Sequence, residues 1–221
     1  MSKATTSNGY EIANPVAKAT PESFRERMEE EYGLFGGSPA ERLERLRDMS
    51  VEGIAILWED INKMVQGSQD SLMNHETTMK IGGKDTLSLE DRYDVFLKLV
   101  EEIKSAPDDI NPARVGDAMA LGTVLLHPFH DGNGRTARML GLLFRDEYDN
   151  EYEESFQVVS EPRDEARKRG GFMIYGYIPH LDHQGLDQAD PADVSQYLHE
   201  ILHEEKPGAY TSCYGQAPLR A

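Results

Sequence analysis

The chain has 221 residues, room for one substantial domain with its own core and at most a small appendage. Its 23 Lys and Arg against 40 Asp and Glu leave a net charge of −17, which argues against general affinity for a nucleic-acid backbone. A single cysteine, Cys213, excludes an internal disulfide, and no stretch is apolar for long enough to span a membrane or serve as a secretory leader. A cytoplasmic, reducing setting is the expectation, although delivery into another cell by a specialised secretion system would leave no such mark.

Residues 1–20 are polar and mixed, and are expected to be disordered. Pro21-Glu22 then opens a charged run that closes at Gly33, the pattern of a helix with proline at its first position and glycine past its end. After Gly36-Gly37-Ser38-Pro39, the residues Leu43, Leu46, Met49, Ile54, Leu57, Trp58, Ile61 and Val65 recur at three- and four-residue steps, predicting one or two amphipathic helices. Between Glu76 and Leu87, short β-prone segments flank Gly82-Gly83 and predict a small hairpin.

Helical spacing resumes with Tyr93, Phe96, Leu97, Leu99, Val100 and Ile103 and stops around Pro107. From Pro112 to Leu126 the chain is apolar on nearly every face, which places that helix at the centre of a bundle. A further helix is expected from Asn133 to Asp146. Beyond it, Glu161 to Lys168 reads as a short charged helix, Phe172 to Ile178 is ambiguous, and Val194 to His203 forms a last helix before an irregular tail over 206–221. The fold class is therefore all-α, a helical bundle in a single domain over 21–205 with one small β-hairpin.

Residues 127–138, joining two helices expected to be buried, read His-Pro-Phe-His-Asp-Gly-Asn-Gly-Arg-Thr-Ala-Arg. Gly132 and Gly134 let the backbone turn tightly at the start of an apolar helix, which makes an anion nest at a helix N-terminus. Arg135 and Arg138 stand three apart on that helix, so both can fork onto the oxygens of a polyphosphate. Asp131 is a hard oxygen ligand placed where a phosphate-bound Mg²⁺ would sit. His127, at the end of the buried helix, is the side chain suited to taking a proton from an incoming hydroxyl near neutral pH. Phe129 should point inward and pin the loop. A Gly-rich interhelical turn with incidental arginines is the bland alternative. The string is not a Walker A loop, because Arg135-Thr136 follows the last glycine where Lys-Ser/Thr would stand.

The string resembles the signature of the Fic (Fic/Doc) family, with every specified position met by His127, Phe129, Asp131, Gly132, Asn133, Gly134, Arg135 and Arg138. The resemblance extends over roughly residues 53–150, with boundaries good to about two to four residues. It implies a Fic-type helical bundle with a β-hairpin flap, His127 as general base and Asp131 as the Mg²⁺ ligand. Loop amides and Asn133 would bind phosphates, and the arginines would orient the β- and γ-phosphates of ATP. The implied activity is transfer of AMP from ATP to a Ser, Thr or Tyr hydroxyl of a target protein, although altered members transfer other nucleotides or a phosphate. Met79, Lys80, Ile81 and Gly82 are the flap candidates, where a target segment would add as a strand. The family also carries an inhibitory helix, whose nearest match here is Asp48 to Gly53, with Glu52 pairing to Arg138 but Asp48 where Ser or Thr is usual. Glu52 can equally be an ordinary acidic residue in the first turn of a helix capped by Ser50. Control by a separate inhibitor protein is the alternative.

A second motif competes. His199-Glu200-Ile201-Leu202-His203 satisfies His-Glu-x-x-His, the helical arrangement of zinc metalloproteases, but the tail after His203 contains no histidine to complete the ligand set. A solvated amphipathic helix with Tyr197 and Leu198 inward explains the same residues. A third reading is a nucleotide-binding module without turnover, against which the intact His127 argues.

Overall fold

The computed structural model describes residues 16–17, 19–70, 73–74, 80–81, 84–145 and 186–203. The expected helix over Glu161–Lys168, the ambiguous stretch Phe172–Ile178, the tail 206–221 and nearly all of the N-terminal segment lie outside the described residues.

Capping chemistry sets where the helices start. α1 (Pro21–Tyr32) opens on a reciprocal pair in which Thr20 and Ser23 each accept the other's backbone N–H, and α2 (Pro39–Asp48) repeats the device with Ser38 and Glu41. α3 (Val51–Gln66) begins two residues after Met49, whose backbone is extended, and is capped by Ser50, whose hydroxyl accepts the Gly53 N–H at 3.0 Å. The stripe from Leu43 to Val65 is therefore two helices. β1 (Lys80–Ile81) and β2 (Lys84–Asp85) pair antiparallel, Lys80 opposite Asp85 and Ile81 opposite Lys84, while Gly82-Gly83 between them falls outside the described residues. α4 (Leu89–Ser105) is capped by Ser88 and α5 (Pro112–Leu126) by Asn111.

Two boundaries differ from the expectation. α6 (Asn133–Leu142) ends four residues before Asp146, because the chain leaves the helix in a tight turn, with the Arg145 N–H donating to the Leu142 carbonyl. Arg145 is held there from both ends: its guanidinium meets Asp117 at 2.5 Å and its carbonyl accepts from Arg42 at 3.1 Å. α7 (Pro191–His203) starts three residues before Val194, because Asp190 accepts the Ala192 N–H at 2.8 Å and Pro191 suits the first position.

α5 is the axis of the molecule, every residue from Val115 to Leu126 being buried. α4, α6, α7 and α2 all pack on it, and α3 crosses behind against α6 and α4. Trp58 of α3 reaches α5, where its Nε1–H donates to the Thr123 hydroxyl at 2.5 Å and its ring lies 5.1 Å from Phe96 of α4. α5 and α6 approach closely at Gly116, where an added Cβ would lie 2.7 Å from the Gly141 carbonyl oxygen. That crossing fixes the helix pair whose connection is residues 127–132.

The outer helices are tied by polar contacts. Asp60 of α3 accepts from Tyr32 at 2.7 Å, from Arg27 at 2.9 Å and from Lys63 at 3.2 Å. Burial alone would raise the Asp60 carboxyl, but these donors outweigh it and hold it below the usual carboxylate range. Arg47 donates to the Ile103 and Ala106 carbonyls, and Lys104 to the carbonyls of Arg47 and Met49, so the α2–α3 corner is fastened to the end of α4. Among the described residues no helix is long and apolar enough to cross a membrane.

Gly116→Ala should destabilise the protein by about 1–3 kcal/mol, since the obstacle is backbone that cannot step aside. Gly53→Ala, whose Cβ would meet only ordinary contacts at 3.5 Å, should be neutral or stabilising by up to about 1 kcal/mol. Urea unfolding of the two variants measures the contrast.

Candidate active site

The site begins where α5 stops. His127 takes the left-handed conformation (φ 45, ψ 55), the one non-glycine residue with positive φ among the described residues, and its N–H still bonds the Thr123 carbonyl at 3.1 Å. This reversal turns the chain so that Phe129 forms an antiparallel bridge with Met73, and the Asn74 N–H donates to the Pro128 carbonyl at 2.7 Å. The segment that leads to the β1–β2 pair is thus stitched to the loop that carries His127. Phe129 drops into the core with 1% of its surface exposed.

Asn133 closes the loop. Its Oδ1 accepts the Phe129 N–H at 3.0 Å and its Nδ2 donates to the Phe129 carbonyl at 2.6 Å. The side chain assigned to phosphate by the family resemblance is therefore used here to hold the loop backbone, and what Asn133 offers a ligand is its amide. Gly132 is the N-cap of α6 with φ 82, and a Cβ there would sit 2.5 Å from Gln66 Nε2 and 2.8 Å from Asn62 Nδ2, so both the conformation and the space demand glycine. Asn62 donates to the Asp131 carbonyl at 3.0 Å and to the Thr136 hydroxyl at 3.1 Å, buttressing the nest from α3. No side chain caps α6, so the first-turn amides of Asn133 and Gly134 have no capping oxygen.

Asp131 is 8% exposed, and its Oδ1 accepts the Gly132 N–H at 2.6 Å and lies 3.4 Å from Arg135. A single buried carboxylate beside an uncapped helix N-terminus fits Mg²⁺ carried in on a polyphosphate, since that ion takes one or two protein carboxylates and fills its octahedron with phosphate oxygens and water. Arg135 is partly buried and Arg138 is 6% exposed. His130 is half-exposed beside the loop.

Electrostatics set the state of His127. Burial is the largest effect and pushes the imidazole down to about 4; the Val124 carbonyl pulls the other way, and the charges of Arg92, which lowers it, and Asp131, which raises it, matter less. The buried nitrogen is Nδ1, which makes no hydrogen bond. His127 is consequently neutral across the physiological range.

Glu52 and Arg138 are not brought together. Glu52 is exposed in the first turn of α3, where its own backbone N–H and then the Ser50 hydroxyl hold its carboxyl below the ordinary range. The local capping role accounts for it. Of the flap candidates, Lys80 and Ile81 form β1, while Met79 and Gly82 lie outside the described residues. Three participants escaped the motif: Asn62 and Gln66, buried polar residues four apart on the apolar stripe of α3, and Arg92, 5% exposed on α4. The signal for the first two was present, as polar residues at core positions on one helix face.

Because the folded pKa of His127 is depressed below an unfolded value of about 6.5, its contribution to stability is complete above that value and is lost as pH falls toward about 4. The imidazole resonances of the free protein should accordingly titrate near 4, and the acid limb of kcat/KM that His127 governs should lie well below 6.5. NMR titration of ring-labelled histidine against a His127→Gln reference reads this, and a midpoint near 6.5 would contradict it.

Neither a characterised protein nor a solved structure gives a significant match to the chain. Residues 59–145, from the middle of α3 to the turn after α6, match the model of the Fic/DOC family, and the complete motif held between α5 and α6 lies within that match.

Proposed function

We propose that the protein is an adenylyltransferase that moves AMP from ATP to a Ser, Thr or Tyr hydroxyl of a target protein. The observation that carries this reading is a neutral imidazole at the end of α5, one tight loop before the uncapped N-terminus of α6. The amides of Asn133 and Gly134 and the positive helix end suit the phosphate that develops charge, and Arg135 and Arg138 supply guanidinium groups on the same helix. Asp131 would hold Mg²⁺, which neutralises the polyphosphate and stabilises the departing pyrophosphate.

In the step itself, the hydroxyl oxygen of the target forms a bond to the α-phosphorus, the bond from that phosphorus to the bridging oxygen breaks, and pyrophosphate leaves. His127 receives the hydroxyl proton. A base near 4 is weak for this task, and the negative charge of a bound nucleotide would raise it toward the working pH. The β1–β2 pair and the Met73–Phe129 bridge support target recognition by strand addition, because backbone already paired with the catalytic loop would align an added strand with it.

With purified protein and a lysate, ATP labelled at the α-phosphate should label protein, and His127→Ala, checked for native circular dichroism, should reduce the rate by at least about 100-fold. Label from the γ-phosphate alone would make the protein a kinase, and no label from either would leave a binding module. Parallel reactions with CTP, GTP and UTP read the base preference. Glu52→Gly should change the rate by less than about twofold, because Glu52 is engaged only with its own helix end.

A further inference from the structure

We infer that Glu102, His199 and His203 form a binding site for a single divalent transition-metal ion, Zn²⁺ being the best fit, which clasps α7 to α4. The three residues offer ligand atoms that all lie within 4.8 Å of one another. His199 Nδ1 is 3.1 Å and His203 Nε2 is 3.9 Å from the same carboxylate oxygen, Glu102 Oε2, and the two rings are 4.6 Å apart. Ligands at about 2.0–2.1 Å around a tetrahedral Zn²⁺ stand roughly 3.3 Å from each other, so the observed separations bracket the spacing the ion requires. Little movement of these side chains would admit it.

The sequence shows why the geometry arises. Histidines four apart on a helix share one face, and the apolar side of α7, formed by Val194, Tyr197, Leu198, Ile201 and Leu202, is buried against the bundle. That packing turns the histidine face along the α4 seam, where Glu102 stands near the end of its helix. The third ligand that a metal site usually takes from further downstream of His203 is thus supplied from 97 residues upstream of His199. The three side chains are 33% (Glu102), 46% (His199) and 29% (His203) exposed, which leaves the ion a route in from solvent and a fourth position for water.

The role is structural. In a His-Glu-x-x-His hydrolase the glutamate activates the metal-bound water, whereas the Glu200 carboxylate here accepts from Gln196 on its own helix at 3.3 Å. Two nitrogens and one oxygen with a water is a complete tetrahedral set, and because the ligands come from two helices the ion would bind the folded chain in preference to the unfolded one.

Full-length protein stripped with chelator and titrated with ZnCl₂ near neutral pH should bind one equivalent in calorimetry, and Co²⁺ in its place should give visible d–d bands. Each of Glu102→Gln, His199→Ala and His203→Ala should weaken binding by at least about tenfold, and zinc should raise the melting temperature of the wild type but not of Glu102→Gln. Glu101→Gln, one residue before Glu102 on the same helix, controls for general charge. Because all three ligand side chains reach solvent and none is a core residue, the variants should keep native circular dichroism. Binding weaker than about 100 μM, or binding unchanged in the three variants, would overturn the site. Zinc-dependent peptide hydrolysis lost in Glu200→Gln would overturn its structural role.

Discussion

α5 is buried along its length from Val115 to Leu126 and yet must end on a polar group that meets solvent. Everything at the site follows from that conflict. A loop at the end of such a helix has little water to satisfy its backbone, so the protein does it internally: Asn133 holds both polar groups of Phe129, Asp131 takes the Gly132 N–H, and Asn62 reaches across from α3 to the Asp131 carbonyl. The loop is rigid because its own polar groups are spent on it. What is left unspent is the start of α6 and the imidazole of His127.

The same burial sets the electrostatics. In a chain of net charge −17, cations are gathered locally: Arg92 and Arg138 are nearly buried and Arg135 sits on the loop side of α6. A positive field that disfavours the imidazolium form of His127 is also one that favours an anionic ligand. Burial remains the larger cause of the low pKa of the base and the charge of Arg92 the lesser one, so binding of an anion would relax only the second.

Much of this was legible in the sequence because it is local. Helix starts could be read at Pro21 and Pro112, and the motif places its chemistry within twelve consecutive residues, where spacing alone fixes which groups share a face. Where local patterns mislead, tertiary contacts are responsible. The apolar run through Phe144 suggests a longer α6, but the Arg145 ties to Asp117 and Arg42 end it early. Glu52 fits a regulatory pattern in sequence, whereas in the fold Ser50 and the helix end account for it. Glu102 could not be associated with His199 and His203 at all, since only the packing of α7 on α4 brings them together.

The left-handed backbone of His127 has an evolutionary consequence. A side chain with a Cβ held at φ 45 costs on the order of 1–2 kcal/mol, and the residues that would relax it, glycine and to a lesser degree asparagine, carry no base. Selection for stability alone would drift this position toward an inert protein of the same shape. The histidine can persist only under continuous selection for what its ring does, so an active member of this fold stays somewhat less stable than its own inactive descendants could be.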